Sequence, residues 1–517
     1  MDYMLESKKI CRDTFMFIHA VFKDRLCSLT RYYLENGLTA RTHGNSCKTP
    51  QNAFCIDDIQ RVVTFVKNFA EQNAILLPGR IPGYKRDDLK LLPSSVSKAT
   101  IHRLYEESCS SFGVRVVGIK SFYVFWKQYV PNILPMKPMS DLCWTCQKNS
   151  NLLIKAANLP LELKTAAVKS AEEHLFRATQ ERSLYTSKVK SCKDVFTMEG
   201  ITDLEAPGNV VADCSRTFEA HYSFDFAQQI HYPYNPMQPG PIFFKTPRKI
   251  GVFGMMTEGL AKMVLFLLDE ASSTGKGANC VISLLNFFFE NYGLKETVCH
   301  LHADNCSGQN KNNAMMHYLA WRVITGKHKK ITLSFLLAGH TKFGPDWCFG
   351  LFKKKLKSSK VDCLKDVKTV AKQSSPAGII VPQLCGDEGG RVFTPMYSWD
   401  SFFFPGIFRK MPAIKNIHHV EFYPDGRILC KDFADSETVE HNILKVQPSE
   451  VPRELPPQIF PSGLSVDRKN YLFKEIRPFV AEQFQDLVCP RPRTDMDEAV
   501  RGPGRRLKKA KGLAARK

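Results

Sequence analysis

The sequence predicts a mixed α/β protein: a helical N-terminal region, a central α/β core and a smaller β-containing C-terminal region. Three observations carry this expectation. Apolar residues recur at helical spacing through the first 130 residues, as at Ile59, Val62, Val63 and Val66. Short apolar runs typical of strands alternate with helical stretches between 215 and 350. Strand-like alternation then returns at 390–450, punctuated by Pro-Gly at 405–406 and Pro-Asp-Gly at 424–426.

Residues 1–130 read as helical. Phe15–Asn36 is one long amphipathic stretch that stops at Gly37, a polar and basic turn follows at 41–50, and a second helix runs from Ile56 to Gln72. Helix, basic turn and helix fit either a helix-turn-helix DNA reader or an ordinary helical subdomain; Arg41, His43 and Lys48 tilt the balance towards DNA contact. The Pro-Gly-rich stretch 78–83 is a loop, Ser97–Glu107 a third helix and Ser121–Tyr129 an aromatic fourth.

Residues 131–205 contain Cys143 and Cys146 and then a charged helix over 160–190 that carries His174. The core, 206–390, starts after a linker near Ala206–Asn209. Strands are expected at His221–Gln229, Lys249–Met256 and Lys262–Leu268, then a helix that starts with Gly-Lys-Gly-Ala at 275–278 and runs to about Tyr292, a strand at Thr297–Ala303, a helix at Gln309–Ile324, a strand at Ile331–Leu337 and an amphipathic segment after Pro345. Three strands, then helix, strand, helix, strand and helix, is the element order of the RNase H-like fold. A β-rich extension covers 391–450. In 451–490, a proline-rich linker at 451–463 precedes a helix at Asn470–Asp486, and 491–517 is a basic tail expected to be disordered.

Composition bounds the function. Hydrophobic residues at 44% and charged residues at 24% match a folded, soluble chain. The 72 Lys and Arg against 51 Asp and Glu leave +21, which favours polyanionic partners because phosphate neutralisation releases counterions. Apolar runs such as Met263–Leu268 are too short to span a bilayer, so no membrane partner is expected. The N-terminal stretch lacks the apolar centre of a signal peptide, and 17 cysteines without a small-domain framework read as reduced thiols. The expected location is therefore nuclear or otherwise cytoplasmic, not secreted; self-association into a homo-oligomer stays open.

Three acids fall where such a core places chemistry. Asp225 lies in the first core strand, Asp304 ends a later one, and Asp346 begins the segment after the last. Converging carboxylates repel, and two Mg²⁺ or Mn²⁺ ions would relieve that repulsion while serving an in-line phosphoryl displacement. Asn305, Gln309 and Asn310 are candidates to orient metal-bound water or phosphate, Lys311 to pair with a phosphate, and His340 to ligate metal or shuttle a proton. Each residue also has a plainer reading: an Asp after a strand caps helices and turns, and a lone His is often a core residue. A set recruiting Glu258, Asp269, Asp387 or Glu388 stays open.

The segments 302–312 (His-Ala-Asp-Asn-Cys-Ser-Gly-Gln-Asn-Lys-Asn) and 339–346 (Gly-His-Thr-Lys-Phe-Gly-Pro-Asp) resemble two marker motifs of a large family of transposon-derived animal proteins, usually catalogued as a domain of unknown function. The chain is similar to that family also at 77–80, 91–94 and 141–146, so the resemblance spans roughly 35–485. It implies a mobile-element origin, an RNase H-like transposase-type core and Asp225, Asp304 and Asp346 as the metal-binding triad. The family more often has an Asp-rich loop after its Gly-His; here that loop holds Asp346 alone.

Cys143 and Cys146 have zinc-knuckle spacing, with His174 as third ligand and Cys192 or Cys214 as fourth; two ordinary reduced cysteines are the rival reading. The resemblance favours Zn²⁺, since the cysteine pair and a downstream His recur together in that family. The basic run Arg505–Lys509 with Lys511 reads as a nuclear-localisation signal, a nucleic-acid clamp or a solubilising tail. The leading expectation is a transposase-derived nuclease or strand-transferase acting on DNA. Alternatives are a catalytically inactive DNA-binding or chromatin-associated protein, and an interaction scaffold.

Overall fold

A computed structural model describes residues 2–492 except 45, 47–49, 51–52, 75–88, 137–141, 157–159, 209–210, 376 and 404–405. Lys48, the loop at 78–83, the motif at 77–80, Asp141, the turn residue at 405 and the basic run from Arg505 lie outside the described residues. The chain divides into two compact units, Met1–Asn73 with Ser95–Pro135, and Ala74–Ser94 with Met136–Lys517.

The first unit is helical: α1 (Arg12–Ile18), α2 (Lys23–Asn36), α3 (Ile56–Asn73), α4 (Lys98–Ser111) and α5 (Ile119–Tyr129). Its core comes from one face of each of the last three helices, Val62, Val66 and Ala70 against Ile101, Tyr105, Phe122 and Trp126. The i, i+4 spacing puts each set on a single stripe. The expected single helix over Phe15–Asn36 is two helices, because Ala20 adopts a left-handed φ of 49° that helical geometry does not accommodate. Gly37, at φ 65°, ends α2 where the sequence placed the stop. A helix-turn-helix motif joins its helices by a turn of about 3–4 residues, whereas residues 37–55 separate α2 from α3. That pairing is therefore corrected. Arg41 folds back over the ring of Tyr32 at 5.7 Å and donates to Ser28 Oγ at 3.3 Å, and His43 lies in the same connection.

The second unit is built on one mixed sheet of nine strands. The strands are β1 (Arg216–Tyr232), β2 (Arg248–Thr257), β3 (Lys262–Asp269), β4 (Glu296–Ala303), β5 (Lys330–Phe335), β6 (Ile380–Leu384), β7 (His419–Phe422), β8 (Arg427–Lys431) and β9 (Val439–Asn442). Their spatial order is β6-β3-β2-β1-β4-β5-β7-β8-β9. β1, β2 and β3 form an antiparallel meander; β4 lies parallel to β1 and β5 parallel to β4. β2 and β3 are buried along almost their whole length, which explains their near-continuous apolar sequence. The helices are α6 (Trp144–Ala156), α7 (Leu161–Met198), α8 (Ala278–Asn291), α9 (Asn313–Ile324), α10 (Gly344–Lys357) and α11 (Leu364–Gln373). α8 and α9 pack on the face carrying Tyr222, Phe224, Leu301 and Leu333. α10 and α11 pack on the other, against Val252, Met256, Leu265 and Leu267.

Strand alternation gives that second face an unusual content around β1 and β4. His221 and His302 meet there at 2.8 Å, with the ring of Tyr185 from α7 stacked edge-on against both. Elsewhere a fully buried ion pair staples the sheet: Arg248 Nη2 reaches Asp269 Oδ1 at 2.6 Å, while Tyr232 donates to Oδ2 of the same carboxylate at 2.5 Å. The second nitrogen of that guanidinium donates to the Val488 carbonyl at 2.9 Å, tying down the C-terminal segment.

The expected helix at Asn470–Asp486 is broken into Val466–Tyr471, a π-turn at Leu472–Ile476 and short 3₁₀ turns beyond. Pro478 lacks the N–H that would continue it. The 451–463 segment is extended, but it is fastened rather than free. The Pro452 carbonyl accepts from the Trp321 indole at 2.7 Å, and Gln458–Ile459 pairs with Met396–Tyr397. Among the described residues no helix is long and apolar enough to cross a membrane.

Candidate active site and metal centre

The register of β1 against β4 fixes two of the acids. Tyr222 pairs with Leu301 and Ser223 with His302. Asp225 and Asp304 each lie two residues further on, so the period of two turns both to the face shared by Ser223 and His302. On its other side Asp225 pairs with Gly254 of β2, where a Cβ would lie 2.8 Å from the Phe349 ring of α10. That glycine lets α10 seat close to the sheet. The first turn of α10 carries Asp346, which accepts from the Phe343 N–H at 3.1 Å and so caps its own helix at the end where the dipole favours negative charge.

Asp225, Asp304 and Asp346 line a single cleft of about 1320 Å³. Burial, followed by the charges of Asp304 and Asp346, pushes the Asp225 carboxyl up to about 7. The three groups are close enough to feel one another, and such a set is a natural holder of divalent cations. Asp304 is held by the Cys306 N–H at 3.2 Å and by Asn310 Nδ2 at 2.5 Å.

The supporting residues divide. Gln309 lines the cleft. Asn310 is buried behind Asp304 and orients it. Asn305 donates to the Leu336 carbonyl and accepts from Lys311 Nζ at 3.1 Å. Lys311 is buried over the Phe335 ring at 5.2 Å, its ammonium pulled down to about 8 by burial. Lys311 and Asn305 therefore brace the 304–312 loop from within, correcting their expected role as phosphate or water ligands. The cleft walls instead carry Gln228, Lys342, Lys353 and Trp144, which the sequence reading missed. Lys342 and Trp144 had a signal, their places inside the 339–346 and 141–146 motifs.

The other acids weighed from sequence are engaged elsewhere. Glu258 is buried against Tyr185, whose hydroxyl donates to it at 2.7 Å, and against Ser223. Asp269 pairs with Arg248, Glu388 accepts from the Leu364 N–H at 2.8 Å, and Asp387 closes a turn on the Gly389 and Arg391 N–H groups.

A second constellation borders the same cleft. Cys143, Cys146, His174 and His340 bring one donor atom each to within 4.8 Å of one another, a group able to hold a metal ion. His174 Nε2 stands 3.3 Å from Cys143 Sγ, 3.0 Å from Cys146 Sγ and 3.3 Å from His340 Nε2, and Cys146 Sγ is 3.3 Å from His340 Nε2. Burial holds both imidazoles below their usual range, in the neutral form that ligates metals. Gly339, at φ 79°, allows the approach: a Cβ there would lie 2.5 Å from Cys143 Cα. Arg182 of α7 fixes the loop by donating to the His340 carbonyl at 2.7 Å.

His340 thus belongs with the cysteines rather than with the carboxylates, where the sequence reading placed it. It takes the fourth position expected of Cys192 or Cys214. Cys192 is buried with its sulfur accepting from the His221 N–H at 3.3 Å, and Cys214 sits in the left-handed turn before β1.

The family model described as Domain of unknown function (DUF7869) matches residues 245–433. The matched region runs from β2 to β8 and includes Asp304, His340 and Asp346, while Asp225, Cys143, Cys146 and His174 precede it. No curated protein matches the chain.

A further cluster, Glu296, Cys299 and His328, is wholly buried. Its groups are satisfied internally: Tyr222 donates to Glu296 at 3.0 Å, His328 Nε2 lies 3.3 Å from the same carboxylate, and Arg322 Nε is 3.4 Å from His328 Nδ1. It is a polar network of the core.

Proposed function

We propose that this chain is a transposase-type phosphoryl transferase with an RNase H-like core, acting on DNA. The observation that carries the reading is the convergence of Asp225, Asp304 and Asp346, from three separate segments, on one cleft. The strand order supports it, since an antiparallel meander followed by two strands parallel to its first is the RNase H-like arrangement. The surplus of +21 suits a polyanionic substrate.

Asp225, Asp304 and Asp346 would hold a pair of Mg²⁺ or Mn²⁺ ions, which supply charge neutralisation and activation of an attacking water or 3′-hydroxyl. The chain's own groups do the rest. Asn310 and the Cys306 N–H aim Asp304, the α10 N-terminus fixes Asp346, and Lys342 and Lys353 offer ammonium groups to flanking phosphates. The Cys143, Cys146, His174 and His340 cluster suits Zn²⁺. A tetrahedral zinc with Zn–N near 2.0–2.1 Å and Zn–S near 2.3 Å sets ligand separations of about 3.3–3.8 Å, and the observed 3.0–3.3 Å are slightly tighter. With no open position left, that ion would be structural.

The test is incubation of the full chain with labelled duplex DNA and Mn²⁺, beside Asp304→Asn. Metal-dependent nicking by the wild type and none by the variant is the expected result. Salt-sensitive binding without nicking would replace this reading by that of a catalytically inactive DNA-binding protein, and no binding at low salt would remove DNA altogether.

A further inference from the structure

Trp144 follows Cys143 directly and opens α6, yet its residue surface is 77% exposed. A tryptophan held in water on an element this well anchored calls for a reason. The anchoring is firm: Cys143 is buried in the Cys/His cluster and packs against Gly339, while α6 lies along α7. Trp144 lines the cleft that holds Asp225, Asp304 and Asp346, together with Lys342 and Lys353. An acidic floor, two ammonium groups and an open indole share one space. Its volume of about 1320 Å³ exceeds the roughly 300–1,000 Å³ of small-molecule pockets, which points to a polymer.

We propose that Trp144 is a stacking platform, and that the cleft takes a nucleic-acid strand with at least one unpaired base lying on its indole. This rests on the phosphoryl-transfer reading above and deepens it by naming the substrate's secondary structure. Every base has a π-face, so stacking is tolerant of sequence. In a continuous duplex those faces are covered by neighbouring pairs and cannot reach an indole at the cleft wall. Lys342 and Lys353 meet the phosphates on either side, and the three acids lie on the floor of the same cleft. The geometry therefore selects a frayed end, a flap or a single strand over an intact duplex. Trp144 is a specificity-determining residue here, not a catalytic one.

Binding of fluorescein-labelled single strand, flapped duplex and blunt duplex, all in Ca²⁺ with the full chain, tests this by anisotropy. The wild type is expected to prefer the first two. Trp144→Ala should weaken those two about tenfold and leave blunt-duplex affinity unchanged, whereas Trp144→Phe, which keeps a π-face, should retain most of the preference. An equal loss on all three substrates, or none, overturns the stacking role while leaving the cleft's chemistry standing. A wild type that binds none of the three removes both readings and leaves a protein partner to cover Trp144. An unchanged melting curve for Trp144→Ala, expected of so exposed a side chain, separates these outcomes from misfolding.

Discussion

Neutralising Asp225 should stabilise the metal-free protein at pH 8 and weaken its response to metal. Its carboxyl is raised from 3.8 to about 7 by burial and by the facing charges of Asp304 and Asp346. A proton held about 3 powers of ten more tightly in the folded than in the unfolded chain corresponds to roughly 4 kcal/mol at about 1.36 kcal/mol per pH unit. The sign follows from the direction. Below 3.8 both states hold the proton and the penalty vanishes. Between 3.8 and about 7 only the folded state holds it, so stability falls as pH rises. Above that window both states are ionised and the full penalty persists. Asp225→Asn removes the titration, so at pH 8 the variant should be more stable by about 2–4 kcal/mol, the lower figure allowing for desolvation of the amide. Near pH 4 the two proteins should coincide. Urea unfolding followed by tryptophan fluorescence, in buffer without added divalent metal, measures the difference. Adding Mn²⁺ should raise the wild-type midpoint and move the variant's far less. Equal midpoints at pH 8, or a gap that is the same at pH 4 and pH 8, would refute the picture of mutually repelling acids.

Two further perturbations probe other parts of the structure. Arg248→Ala strands the Asp269 carboxylate in the core, which should cost about 3–5 kcal/mol in urea unfolding, while the double variant Arg248→Met with Asp269→Leu should recover most of it; no recovery would mean that the pair is not the source of the loss. Gly339→Ala puts a methyl where Cys143 Cα already lies at 2.5 Å, on a backbone at φ 79°, so the zinc taken up by the Cys/His cluster, read by atomic absorption, should fall to near none, whereas Cys192→Ser should keep it, and a fully zinc-loaded Gly339→Ala protein would contradict the packing described.

Much of the second unit was legible because most of its strands are short and apolar and its helices amphipathic, patterns that local periodicity reports faithfully; β1, long and partly polar at Arg216–Tyr232, outran the expected His221–Gln229. The expected strand at Lys249–Met256 and the observed Arg248–Thr257 differ by one residue at each end. What escaped was set by backbone geometry and by long-range pairing. Nothing in the Phe15–Asn36 periodicity announces the left-handed Ala20. The helix at Asn313–Ile324 starts later than Gln309 because Asn312 caps it, accepting from the Met315 N–H at 3.0 Å. Asp304 and Asp346 stood out because one ends an apolar strand and the other opens the segment after the last, and Asp225 because it interrupts a strand. The role of His340 was hidden, since its partners Cys143, Cys146 and His174 lie far upstream and only the folded chain brings them together. Lys311 misled for the opposite reason: a lysine inside a polar motif looks free in sequence, and its burial over Phe335 is a tertiary fact.

The short connection between β5 and α10 ties the two constellations mechanically. Five residues separate His340, fastened to the thiols, from Asp346, fastened to the acidic cleft. Any metal filling the Cys/His cluster would also fix where the third acid sits, and its removal would free that anchor even with every acid intact.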